Sequence, residues 1–146
     1  MRATLTVGRV RGIDVGVHWS VLFVLALLAI SLGTSRLPDD VEGYSTVEYW
    51  LAASITAVSF LASILAHELS HALVAVHRGV EVNGITLWLL GGVAELKSGA
   101  KTPGDELQIA LVGPLTSLGI GIVAGAAAFG LETSDASRLE IGRAHV

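Results

Sequence analysis

The sequence predicts an all-α membrane protein: three transmembrane helices, with a membrane-associated β-hairpin between the second and the third. Three observations carry this. Hydrophobic residues make up 52% of the 146 and charged residues 15%, and mean hydropathy is +0.68, too apolar for an ordinary soluble domain. Three stretches are long enough to cross a bilayer, which takes about 20 mainly apolar residues. Between the last two, a pair of short β-prone runs meets at Gly91-Gly92, a hairpin signal.

The first span is expected over 15–33, centred on VLFVLALLAISL. A cleaved signal peptide is the rival reading, because basic residues precede the apolar core and small residues follow it. Its apolar stretch is longer than the 7–15 residues usual in a signal peptide. The second span is expected over 49–77. The third, over 107–131, contains Gly113-Pro114; in a membrane, neighbouring helices can satisfy the carbonyl that a proline frees. Its Gly119, Gly121, Gly125 and Ala126 to Ala128 favour close helix packing. Basic residues set the orientation. Arg2, Arg9 and Arg11 precede the first span, whereas Arg36 after it stands against Asp39, Asp40, Glu42 and Glu48, so the amino terminus of this multi-pass cell-membrane protein is expected in the cytoplasm. Arg78, Lys97 and Lys101 in the next loop agree with that.

The segment 82–96, VNGITLWLLGGVAEL, is too apolar for a solvated loop. An open strand edge cannot face lipid, so the hairpin is expected against protein or lining a cavity. Leu87, Leu89, Gly91 and Gly92 are the candidate substrate-binding residues, offering a free edge to an unwound segment. A structural hairpin that plugs the helix bundle is the plainer alternative.

His67-Glu68-Leu69-Ser70-His71 is the chemical motif. On a helix the two imidazoles, four residues apart, share one face and can bind one Zn2+ ion. Glu68 lies about 100° round the helix from His67, within reach of a water activated by that ion. The motif sits within an apolar stretch from Trp50 to Val76, where ionisable groups are costly and mark function. A catalytic zinc usually has three protein ligands, and only two are evident. Glu95, Asp105 and Glu106 can each be nominated as the third, though solvated faces commonly hold such residues. His18, beside Trp19, reads as an interfacial pair, and His77 as solvated. A net charge of -4 without a basic stripe argues against nucleic acid. Cysteine is absent, which excludes disulfides and thiolate ligands.

These pieces together resemble the site-2 protease family of intramembrane zinc metalloproteases, especially the prokaryotic branch whose members often carry CBS domains after the membrane core. The resemblance runs from Gly12-Ile13-Asp14-Val15 and Val17-His18-Trp19-Ser20, through the His67 to Ala72 motif and Gly84 to Leu96, to Ala110-Leu111-Val112-Gly113-Pro114-Leu115. It implies that His67 and His71 are zinc ligands, that Glu68 activates water, and that the hairpin lies beside a membrane-spanning substrate helix, often a regulator such as an anti-sigma factor. The family's third ligand is an Asp in a later Leu-Asp-Gly motif, which does not occur here. The expectation is therefore the amino-terminal part of an intramembrane endopeptidase, inactive and weakly zinc-binding by itself unless a homo-oligomer supplies ligands. A membrane helix-binding protein without turnover is the alternative, and the retained Glu68 speaks against it. A membrane zincin with a downstream glutamate ligand is a third reading, which the Gly91 to Leu96 and Gly113 to Leu115 segments disfavour.

The tail Ile141 to Val146 is also a translation of ATC GGA AGA GCA CAC GTC, the start of a common sequencing adapter. Residues 1–139 are accordingly expected to be the partial protease core and 140–146 a non-native tail, with His145 not counted as a ligand.

Overall fold

A computed structural model describes residues 4–89, 91–96 and 98–143. Arg2, Lys97 and residues 144–146 of the expected tail, His145 among them, lie outside these. The chain forms strands β1 (Leu5–Val10) and β2 (Ile13–Val17), helix α1 (Ser20–Ser31), a π-helical turn (Leu32–Arg36), the short α2 (Leu37–Asp40), and α3 (Thr46–His77). Strands β3 (Val82–Trp88) and β4 (Gly91–Leu96) and helix α4 (Pro103–Arg143) complete it.

Three helical stretches are long and apolar enough to cross a membrane: Ser20–Asp40, Thr46–His77 and Pro103–Leu131. Their large apolar side chains point outward, among them Ile55 and Val58 on α3 and Ile122 and Val123 on α4, as a lipid environment requires. The 32 residues of α3 extend about 48 Å, well beyond the roughly 30 Å hydrocarbon layer.

The all-α expectation is corrected by a four-stranded sheet in the order β1-β2-β3-β4. β1 pairs antiparallel with β2, β2 parallel with β3, and β3 antiparallel with β4. Residues 15–17, assigned from sequence to the first span, belong to β2, and helix begins only at Ser20. The cause is local: Arg11 and Gly12 both have positive φ, +48° and +88°, which makes the two-residue turn that matches strand twist. Arg-Gly is not one of the strong sequence signals for it. The hairpin is thus half of a larger sheet. Gly84 allows this pairing, since a Cβ there would lie 2.9 Å from the Asp14 carbonyl oxygen.

Ile13, Val21, Ile85 and Leu87 pack with Ala72 of α3 to form the core, so the sheet rests on the turn of α3 that carries the histidine motif. Gly33 in the π-helical turn brings the first span against α3, where a Cβ would meet the Trp50 indole at 3.2 Å. α3 starts earlier than the expected residue 49 because Ser45 and Glu48 form a capping box: the Glu48 carboxylate accepts from the Ser45 N–H at 2.7 Å, and the Ser45 hydroxyl oxygen accepts from the Glu48 N–H at 3.4 Å. At the other end, Arg78 bonds Gln108 and pairs with Asp105 of α4 at 3.3 Å, which joins the two long helices beyond the motif. Ser45→Ala is expected to destabilise the protein by about 1 kcal/mol, read as a lowered unfolding midpoint in detergent.

Candidate active site

His67, Glu68 and His71 lie in the last third of α3, with α4 on one side and the β3–β4 hairpin on the other. The two Nε2 atoms are 3.1 Å apart, and the rings meet edge to face at 75°. Two nitrogens on one tetrahedral zinc, each about 2.05 Å from it, stand about 3.3 Å apart, so the pair already has nearly the bite that one ion needs.

The remaining ring nitrogens face α4. His71 Nδ1 lies 2.5 Å from the Ile109 carbonyl oxygen; a carbonyl only accepts, so Nδ1 carries the proton and Nε2 presents a lone pair. His67 Nδ1 is 2.9 Å from the Ser117 hydroxyl oxygen. Between these contacts runs Gly113, which is buried. A Cβ added there would lie 2.6 Å from His67 Nε2 and closer still to His71 Nε2, at about the distance where a bound metal would sit. The residues present therefore fit a divalent cation: two imidazole Nε2 atoms converge on a space kept open by the missing side chain.

The hairpin closes on the carboxylate. A Cβ at Gly92 would come within 2.5 Å of Glu68 Cδ and 2.9 Å of its Oε2, so only glycine lets β4 pack over this side chain. Gly91 has φ +133°, a conformation that side chains rarely adopt. Leu87, Leu89 and Gly91 join His67, Glu68 and Ser117 around a cavity of about 490 Å³, whose apolar wall includes Val21 and Leu25 of α1 and Phe60 and Ile64 of α3.

Two expectations about the hairpin need correction. Leu87 is not on a free edge: β3 is an interior strand with β2 on one side and β4 on the other, and Leu87 is 1% exposed. The Leu89 N–H is already bonded to the Ser20 hydroxyl at 3.0 Å. Among the described residues, the open edge beside the cavity belongs to β4. His18, read as interfacial, instead bonds Ser20 through Nδ1 at 2.8 Å, while its N–H donates to the Leu87 carbonyl. The start of α1 is thereby tied to the hairpin. Among the described residues no group of three or more His, Asp or Glu that could hold a metal forms, so Glu95, Asp105 and Glu106 do not complete the pair. Sequence reasoning passed over Ile109 and Ser117. Their spacing of four from Gly113, on one helix face, was the available signal.

Three long apolar helices, a histidine pair with a carboxylate beside it, and a strand edge along the cavity form an arrangement that known proteins share. The chain belongs to Peptidase family M50, whose family model matches residues 55–139. It is 50% identical over 131 residues to a Mycobacterium tuberculosis protein named zinc metalloprotease Rip3, covering 90% of this chain and 33% of that one. A zinc metalloprotease of Synechocystis is 38% identical over 120 residues, covering 81% and 31%. The solved Site-2 Protease from Methanocaldococcus jannaschii superposes with a TM-score of 0.57 at 28% identity, over 82% of this chain and 48% of that structure. The chain spans about a third of the length of the curated relatives it matches.

Replacing Ser20 by Ala removes the acceptor for the Leu89 amide; with a hydrogen bond worth about 1 kcal/mol or more, hydrogen exchange at Leu89 should rise roughly tenfold while exchange in β1 stays unchanged.

Proposed function

We propose that this chain carries the zinc-binding and base-bearing part of an intramembrane endopeptidase that cuts membrane-spanning protein segments. The observation that carries the reading is the 3.1 Å Nε2 pair with Glu68 on the wall of the same cavity. In it His67 and His71 are two zinc ligands, and the remaining protein ligand comes from outside the described residues, either elsewhere in a longer polypeptide or in a second copy. The metal would supply polarisation of the scissile carbonyl and a more acidic water.

The chain's own residues do the rest. Glu68 takes the proton of the attacking water and returns it to the leaving amine nitrogen. Gly92 holds that carboxylate against the hairpin. The apolar cavity excludes bulk water, which strengthens each electrostatic contact inside it. The open β4 edge suits an unwound substrate strand, whose backbone groups would otherwise lack partners in lipid. The distribution of arginines about the first span supports an amino terminus in the cytoplasm, and in that orientation the motif lies toward the same face. A helix-binding role without turnover is not favoured, because a binding module has no use for a carboxylate beside the histidine pair.

Glu68→Gln should lower peptide hydrolysis by about 10²-fold or more and leave zinc content unchanged, measured by metal analysis and a cleavage assay on the complete protein; equal turnover would sink the assignment. The β4 edge makes a second prediction. Successive N–H groups along a strand point to opposite edges, so of Val93→Pro and Ala94→Pro one breaks the pairing with β3 and the other removes an outward donor. The outward variant should keep its thermal stability and lose most cleavage, and normal cleavage by both variants would exclude strand addition on β4.

A further inference from the structure

Ile109, Gly113 and Ser117 stand four residues apart on α4, and each meets the histidine pair in a different way. Ile109 offers a carbonyl that only accepts. Gly113 offers no side chain where one would obstruct both Nε2 atoms. Ser117 offers a hydroxyl that can donate or accept. None of the three is a ligand by chemical type, yet every ring nitrogen of the pair is addressed by this face or by the space it leaves.

We propose that this face of α4 is a positioning mould for metal binding, in which Ser117 sets the tautomer and aim of His67 while Gly113 reserves the volume of the cation. The inference rests on the reading of His67 and His71 as ligands. Its physical content is a difference between two states. Without metal, the His71 Nε2 lone pair lies 3.1 Å from His67 Nε2, and two facing lone pairs repel, so the favourable arrangement has His67 protonated at Nε2 and its Nδ1 accepting from the Ser117 hydroxyl. With metal, His67 must free Nε2 and carry its proton on Nδ1, which then donates to the Ser117 oxygen. A hydroxyl satisfies both tautomers by rotating. The Ile109 carbonyl serves His71, which holds its proton on Nδ1 in both states. Metal entry is thereby coupled to a proton shift on His67 alone. Unlike Gly113, Gly121 farther along α4 has open space beside it, so close approach is local to the motif.

The test is a Co2+ titration of the complete protein, with its remaining ligand, in lipid nanodiscs, followed by visible absorption and chelator competition. It is paired with 15N spectra of the histidine rings in the metal-free form of the same protein. Ser117→Ala is expected to weaken Co2+ binding about 10- to 100-fold, as loss of a partner behind a metal-bound histidine generally does, and to shift the His67 ring nitrogens while leaving those of His71 in place. Ser117→Thr, which keeps the hydroxyl, should restore both. Gly113→Ala should abolish Co2+ binding, whereas Gly121→Ala binds like wild type. Wild-type affinity in Ser117→Ala or in a folded Gly113→Ala overturns the proposal, as does equal weakening by Ser117→Ala and Ser117→Thr. Should Gly113→Ala not fold, the Ser117 pair decides. His67→Ala separates the two levels: undiminished Co2+ binding there defeats the ligand reading itself, while loss there with no loss in Ser117→Ala defeats only the mould.

Discussion

Two half-buried imidazoles between apolar helices present four ring nitrogens, and the surrounding structure is arranged around satisfying them. An unpartnered polar group buried among apolar ones costs several kcal/mol. The helical period aims both Nε2 atoms at one point, which leaves two Nδ1 atoms on the flank toward α4. They need a carbonyl and a hydroxyl one turn on either side of a residue small enough to let the helices meet. Ile109, Ser117 and Gly113 meet that need. Pro114 belongs to the same region, since it lacks the N–H that would bond the Ala110 carbonyl, one residue from the carbonyl that His71 uses.

The carboxylate faces a different constraint and receives a different support. Glu68 is turned away from the α4 side, toward the sheet, where Gly92 closes on it. That contact depends on the hairpin being held, and the hairpin is held by more than its own pairing. β2 flanks β3, the Ser20 hydroxyl takes the Leu89 N–H, and His18 bonds both the Leu87 carbonyl and Ser20. An isolated two-stranded hairpin is marginal. Built into four strands and anchored on Ala72 of α3, it becomes a rigid wall for the cavity, with β4 as the open edge beside it.

The first span therefore does one thing that its hydropathy does not announce. Its first turn ties the hairpin to the helix through Ser20, and Val21 of the same turn packs with Ala72 beside the motif. The serine at the mouth of this otherwise apolar helix accepts from the Leu89 N–H, the His18 imidazole bonds that serine, and the backbone N–H of His18 donates to the Leu87 carbonyl.

By itself the sequence determined the three apolar helices, the hairpin over 82–96, and the histidine and glutamate positions, because each is a local pattern: hydropathy over about 20 residues, two adjacent β-prone runs, and a four-residue period; the join expected at Gly91-Gly92 lies instead just before them, since both glycines pair with β3 inside β4. Membership of the metallopeptidase family was legible for the same reason, since its motifs are short contiguous strings. The first two strands were not legible, because Ile13 to Val17 is apolar enough to read as helix and the Arg11-Gly12 turn lacks the usual signature. Only the tertiary structure could decide which hairpin edge stays open, since that depends on β2 returning beside β3 from about 70 residues away in sequence. The same holds for α4. Nothing within Ile109, Gly113 and Ser117 marks them as a unit until the helix is packed against α3, because a carbonyl, an absent side chain and a hydroxyl acquire a common role only from the two rings that they face.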